Sequence, residues 1–460
     1  MCSSAPVRSS SSMTHNGINQ MSTDTNISRS AELYERALKV LPGGVSRNTV
    51  LRDPYPAYVD HGQGCRIVDI EGVSRIDFAN NMCALIHGHA DPDIVHAVSE
   101  QLRQGSAFTM ATEVEVQYAE HLCSRNPGFE RIRFVNSGTE AIMVCLKASR
   151  AFTGRAKIAK AEGAYHGGYD YAEVSQAPSP DTWGDIDRPK SVPLAYGTPQ
   201  SALDDVLILP YNDIDRSIAI LDAHKDELAC VLLDLMPHRV GLNPANPEFV
   251  HAIRDWTTKN GSLLVLDEVI TFRSTYSGLQ SKYGITSDLT AMGKMIGGGF
   301  PIGAVAGRTD VMEVLNPRAK RVLFPHSGTF SANPITLTAG LVAMEKFNAS
   351  EVDRLNGLAK RAMDGITEAI QDTGISACVT GDGSMFRLHM KPSPPHNFRE
   401  AYMTPEENAK IKFMLDFLFD AGFVMINTCT ATMSTPMTEV EIDALVGAMK
   451  DGFVKLKAMD

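Results

Sequence analysis

Leu263-Leu264-Val265-Leu266-Asp267-Glu268-Val269 is an apolar run closed by two acids. Leucine and valine in unbroken succession, with no polar alternation, read as a strand buried on both faces. Comparable runs are Arg131-Ile132-Arg133-Phe134-Val135, Cys230-Val231-Leu232-Leu233-Asp234 and Leu289-Thr290-Ala291-Met292-Gly293. Helical patterns such as Glu248 to Lys259 separate them. That alternation predicts an α/β chain whose mostly parallel central sheet is covered by helices. In such sheets ligands gather beyond the carboxyl ends of the strands, which directs attention to Asp267.

A carboxylate ending a buried strand is costly unless something pairs with it. Lys294 follows the Leu289 run and opens Lys294-Met295-Ile296-Gly297-Gly298-Gly299. A lysine beside glycines that admit a ligand to the backbone is a candidate Schiff-base former. A carboxylate that holds a ring N–H and a lysine that bonds an aldehyde together point to pyridoxal 5'-phosphate. Read without Lys294, Asp267 is better explained as the N-cap of the segment that follows. Glu268 points the other way in an extended chain and is expected to be structural.

Two loops extend this reading. Phe134-Val135-Asn136-Ser137-Gly138-Thr139-Glu140-Ala141 takes a strand into a helix, and helix-start N–H groups with hydroxyls bind phosphate. An ordinary N-cap by Ser137 or Thr139 explains the same residues. Gly163-Ala164-Tyr165-His166-Gly167-Gly168-Tyr169 places an aromatic between glycines, able to lie against a planar ring or to form a plain surface turn. Pro325-His326-Ser327-Gly328-Thr329-Phe330 is a further hydroxyl-rich turn before a helix. His87, His89 and Asp91 have loose metal-like spacing, but a hydrogen-bonded loop accounts for them better. Neither nucleotide-binding glycine motif is present.

With 460 residues the chain is long enough for more than one domain. The balance of 43 basic against 54 acidic side chains, net -11, argues against a general nucleic-acid binder. Eight scattered cysteines without a Cys-x-x-Cys pair fit a reducing, cytoplasmic setting. No apolar run approaches the roughly 20 residues of a membrane span. Residues 1–29 form a polar, serine-rich tail expected to be disordered. Ala31 to Leu41 predicts an amphipathic helix stopped by Pro42-Gly43-Gly44, Tyr58 to Phe78 predicts short strands, and 172–206 a long loop. The expected organisation is an N-terminal segment 30–90, a large cofactor-binding domain 91–345, and a C-terminal region 346–460. The first and last would form a smaller α+β domain.

In order along the chain, several motifs resemble the class III, fold-type I aminotransferases, in the branch of glutamate-1-semialdehyde aminomutases and β-amino-acid aminotransferases. They are Leu41-Pro42-Gly43-Gly44, Asn136 to Ala141, Tyr165-His166-Gly167, Leu266-Asp267-Glu268-Val269, Gly293 to Gly299 and His326-Ser327-Gly328-Thr329-Phe330. The resemblance runs from about residue 31 to 455. It implies that Lys294 carries the cofactor and moves protons, while Asp267 pairs with the pyridine nitrogen beside His166. It also implies Tyr165 and Val269 on the two ring faces, and Ser137, Gly138 and Thr139 on the phosphate. Gly328 and Thr329 would reach the phosphate of a neighbouring subunit, so a homodimer with shared sites is implied. Arg47 occupies the place where this branch binds a substrate carboxylate.

The activity implied is transfer of an amino group between a carboxylate-bearing donor, such as a β-amino acid, and an oxo acid, by way of pyridoxamine phosphate. The alternative is intramolecular 2,1-aminomutase chemistry. Two departures bear on the choice. The aminomutases carry a glutamate near Asn427-Thr428-Cys429-Thr430-Ala431-Thr432, where this chain has no acid. The β-amino-acid aminotransferases carry a second arginine there, where Thr428 or Cys429 stands. Arg239, in Asp234-Leu235-Met236-Pro237-His238-Arg239, is a candidate replacement for that charge, or else an ion-pair partner of Asp234 or a nearby acid.

Overall fold

The computed structural model describes residues 28–459, and it divides into two compact units with the boundary after Tyr58. In the first unit Ser28 caps the helix Arg29–Ala37, accepting from Ala31 N at 3.2 Å. The polar tail expected over 1–29 lies outside the described residues as far as 27, and Arg29 is already helical. The helix stops at Ala37, short of the Leu41 expected from the apolar pattern. The residue before a proline avoids helical geometry, and Leu41 is extended at φ -123°, ψ 133°.

The second unit carries sixteen strands among its helices. They are β1 Val59–Gln63, β2 Arg66–Asp69, β3 Ser74–Asp77, β4 Arg131–Val135, β5 Lys157–Ala161, β6 Gly184–Asp185, β7 Arg188–Pro189 and β8 Val206–Leu209. The rest are β9 Leu228–Leu233, β10 Leu263–Asp267, β11 Leu289–Gly293, β12 Gly303–Gly307, β13 Cys378–Asp382, β14 Met385–His389, β15 Phe423–Val424 and β16 Thr430–Thr432. The central sheet runs β4-β12-β11-β10-β9-β5-β8, and only β12 is antiparallel to its neighbours.

Every residue of β9, β10, β11 and β12 is buried. Alternate side chains go to opposite faces: Leu264 and Leu266 join one core with Val231 and Leu233, while Leu263 and Val265 join another with Cys230 and Leu232. Helices Gly138–Thr153 and Pro247–Asn260 supply the apolar residues that meet these faces. Two-sided burial is why the strands are continuous apolar runs.

Smaller sheets surround this one. The early strands β1-β2-β3 are extended by β15 from the C-terminal region, with Phe423 opposite Ile76. Strands β13-β14-β16 form an antiparallel sheet. The stretch 172–206 is not all loop: it holds the β6–β7 ribbon and the short helix Gln200–Asp204. His87 bonds Thr435 and the Ala343 carbonyl, and His89 bonds Asp77 at 2.8 Å. No described helix is long and apolar enough to cross a membrane, and all seven described cysteines are free.

Leu264 is fully enclosed, so Leu264→Ala leaves a cavity in the sheet and should cost about 2–5 kcal/mol in denaturant unfolding. Val59→Ala, at a side chain 55% exposed, should change stability by less than about 0.5 kcal/mol.

Candidate active site

The register of the central sheet brings three ionisable residues to one edge. Leu266 stands opposite Leu233, and Asp267 opposite Ala291. Asp234, Asp267 and Lys294 therefore sit at or just past the carboxyl ends of three adjacent parallel strands. Lys294 is the first residue beyond β11 and has φ 50°. A side chain-bearing residue in that left-handed region carries a strain of about 1–3 kcal/mol, which the surrounding structure must sustain.

Asp267 is 5% exposed, and both its oxygens are engaged. Oδ1 accepts from Val269 N at 3.0 Å, and Oδ2 pairs with His166 Nδ1 at 2.8 Å. Since a carboxylate accepts, the imidazole proton sits on Nδ1. Burial lowers the His166 pKa, so the ring is held neutral, and its Nε2 is enclosed without a partner. Among the described residues no lysine or arginine pairs with Asp267, so its negative charge is not neutralised by the protein.

The neighbouring acids are handled differently. Burial, reinforced by the charge of Asp267, pushes Asp234 well above the usual carboxylate range, so it stays protonated. Burial lifts Glu268 to about 7, against the pull of hydrogen bonds from the Gln280 and Leu279 N–H groups at 3.0 and 2.8 Å. As the sequence indicates, Glu268 faces away from the site and braces the chain.

The phosphate-type loop meets these strand ends directly. Ser137 caps the helix Gly138–Thr153, accepting from Glu140 N at 3.1 Å, which leaves the Gly138 and Thr139 N–H groups free. A Cβ at Gly138 would lie 2.9 Å from Val269 Cγ1, and one at Gly293 only 3.4 Å from the Gly138 Cα. A Cβ at Gly167 would collide with Thr139 Oγ1. The segments bearing Tyr165 and His166, Ser137 to Thr139, Asp267 to Val269 and Lys294 are thus in mutual contact. Tyr165 is half exposed beside them, with the Arg239 guanidinium 5.9 Å from its ring centre.

Among the described residues Arg239 forms no ion pair with Asp234 or with another acid, and its guanidinium contact is with the Tyr165 ring. Gly328 lies against Asn136, and the His326 carbonyl accepts from Arg133 at 2.6 Å, which docks this turn near the phosphate-type loop. Thr329 is exposed in a depression that also includes Phe108, Met110 and Asn333. Arg47 is exposed in the N-terminal unit, extended at φ -136° before the short turn Asn48–Val50.

These residues fit one cofactor: an unneutralised carboxylate for a ring N–H, a strained lysine for an aldehyde, and a helix start for a phosphate. Such a site on a mostly parallel sheet defines a fold-type I, pyridoxal-phosphate-dependent transferase. Residues 49–446 match the family described as Aminotransferase class-III, and the chain belongs to it. Glutamate-1-semialdehyde 2,1-aminomutase of Methanothrix thermoacetophila is 36% identical over 84% of this chain and 88% of that relative. An omega-transaminase from Sphaerobacter thermophilus is 46% identical, with a TM-score of 0.92 over 94% of this chain and 99% of that one. A beta-phenylalanine aminotransferase from Variovorax paradoxus is 31% identical, with a TM-score of 0.81 over 94% of each.

One participant escaped the sequence reading. Lys160, inside β5, is fully buried, and its Nζ donates to the carbonyls of Ala164 at 2.9 Å and Val174 at 2.8 Å. It thereby holds the residue that precedes Tyr165. Only its position inside an apolar strand could have signalled this, and lysine ends many strands. Burial lowers its pKa to about 7, and a neutral amine has two N–H donors for its two carbonyls. The unfolded chain then binds the extra proton between about pH 7 and 10, so stability rises with pH across that window. Relative to Lys160→Met, the native chain should gain about 2 kcal/mol from about pH 7 to about pH 9 in urea unfolding.

Proposed function

We propose that the protein is an aminotransferase that moves an amino group from a carboxylate-bearing donor, such as a β-amino acid, to an oxo acid. The observation that carries this is the meeting of Asp267 and Lys294 at the ends of adjacent parallel strands. When bound, pyridoxal phosphate supplies an electron sink for the carbon that loses a proton. Lys294 would hold the cofactor, take that proton with its freed ε-amine and return it on the other side of the reaction. Asp267 would keep the ring nitrogen protonated, with the neutral His166 fixing the carboxylate. Tyr165 and Val269 would flank the ring, and Ser137, Gly138 and Thr139 would receive the phosphate.

Gly328 and Thr329 would complete the phosphate site of a second copy in a homodimer, a role that the exposure of Thr329 supports. Arg47 and Arg239 would bind substrate carboxylates, since a guanidinium fork matches a carboxylate. The free cysteines support a cytoplasmic setting.

The second reading is intramolecular 2,1-aminomutase chemistry. The curated relatives, taken by name, favour it over the first. The Sphaerobacter omega-transaminase, at 46% identity, supports intermolecular transfer. So does the stretch 427–432, where Thr428 and Thr430 turn their hydroxyls to His238 at 2.9 and 3.2 Å and no acid is available.

Lys294→Ala should abolish turnover together with the visible absorbance of the bound cofactor, and survival of both would refute the assignment. Given one amino compound and no acceptor, a transaminase stops after one equivalent per site, whereas complete conversion would establish the mutase. Asp267→Asn should retain the cofactor and lose about 100-fold or more in kcat, read by steady-state kinetics.

A further inference from the structure

Beyond His238, one wall of the site holds a second guanidinium. Arg387 lies in β14, paired in register with Thr380 of β13 and Thr430 of β16, and is only 3% exposed. It donates a single hydrogen bond, from Nη1 to the His238 carbonyl at 2.7 Å. Its Nε is enclosed with no acceptor, whereas Nη2 donates to nothing and keeps an opening to solvent. Among the described residues no carboxylate lies within ion-pair distance. Burial lowers its pKa to about 10, so it remains a cation at neutral pH. A desolvated cation without a counter-ion is expensive, and this one has a donor to spare.

The surroundings carry more positive charge. Arg239 projects from the loop that Arg387 braces and lies over Tyr165, likewise without a carboxylate. His238 lies within electrostatic range of Arg387, Lys294 and Arg239. Burial foremost, then those cations, drive its pKa down to about 3, so it adds no charge of its own. Thr428 and Thr430, whose hydroxyls stand 2.9 Å apart and both contact His238, lie on the same side.

We propose that Arg387 and Arg239 form a two-guanidinium subsite for a substrate carboxylate, with the hydroxyls of Thr428 and Thr430 at its edge. This rests on the amino-transfer reading above, because the anion it takes belongs to a molecule whose reacting carbon lies at Lys294. The planar fork of arginine matches a carboxylate with parallel hydrogen bonds, which a lysine cannot reproduce. The carboxylate can belong to the amino donor or to the oxo acid, and the two sources are separable by kinetics.

The experiment is calorimetric titration of the holoenzyme with glutarate, an unreactive diacid, and with glutaramide, its uncharged counterpart. Arg387→Met should weaken glutarate by about 10–100-fold, the loss of one or two charge-assisted bonds, and leave glutaramide unchanged. Arg387→Lys should recover only part of the loss. Should Arg387→Met fail to fold, Arg239→Met, at an exposed position, must weaken glutarate by about tenfold or more. A rise in KM confined to the oxo acid assigns the subsite to the acceptor, and one confined to the amine assigns it to the donor. Glutarate binding as tight in folded Arg387→Met or Arg239→Met as in the native enzyme would overturn the proposal. Failure of the broader reading looks different, since the native protein would then lack the cofactor's visible band altogether.

Discussion

Asp267 keeps a carboxylate at the closed end of a buried strand, where the protein offers it hydrogen bonds but no cation. A neutral His166 and the Val269 amide occupy its two oxygens, which fixes its direction without cancelling its charge. Everything around it follows from that imbalance. Asp234 gives up its own charge because a second anion next door, in a desolvated pocket, is too costly. Glu268, one residue further along the chain, is turned to the opposite side and tied down by main-chain amides. Of three acids clustered at two strand ends, Asp267 has its direction fixed by hydrogen bonds with no cation paired to it among the described residues.

The strand run Leu263 to Asp267 was legible because two-sided burial leaves no room for polar alternation, and its acid marks where the sheet ends. Lys294 was legible from its glycines, and Ser137 to Thr139 from a strand that runs straight into a helix. The capping and phosphate-binding readings of that loop are compatible: Ser137 caps the helix through its hydroxyl, while the amides of Gly138 and Thr139 stay free. Arg387 and Lys160 were not legible. Each sits within an apolar strand, where a single basic residue is ordinarily taken for a strand edge. Their partners are carbonyl groups in loops, four and fourteen residues on for Lys160 and 149 residues back for Arg387, which no strand pattern reveals. The early end of the first helix was likewise hidden, since the apolar spacing continues to Leu41 while the constraint from Pro42 acts backwards on the residue before it.

Charge on the two sides of the site is unequal. The strand-end side presents one uncompensated carboxylate, while the wall built from the His238 loop and β14 presents two guanidiniums. Both histidines on that wall, His238 and His389, are held neutral, with pKa values near 3, by burial and by the charge of Arg387. Protonating either would add a third cation to a desolvated cluster. The wall therefore keeps a constant charge across the physiological range.

The antiparallel strand β12 explains how the lysine and the phosphate-type loop can touch at all. In a purely parallel sheet, the strand between β4 and β11 would end where they end and bring a loop of its own to the site. Running the other way, β12 instead begins there, with Gly303 opposite both Val135 and Gly293. A Cβ at Gly303 would collide with the Ser137 carbonyl, so only bare main chain fits between the two strand ends. That leaves Gly293 free to lie against Gly138, at 3.4 Å from where its Cβ would be to the Gly138 Cα. The reversal of one strand, with a glycine where it begins, thus removes a loop and a side chain from the place where Gly293 and the phosphate-type loop touch.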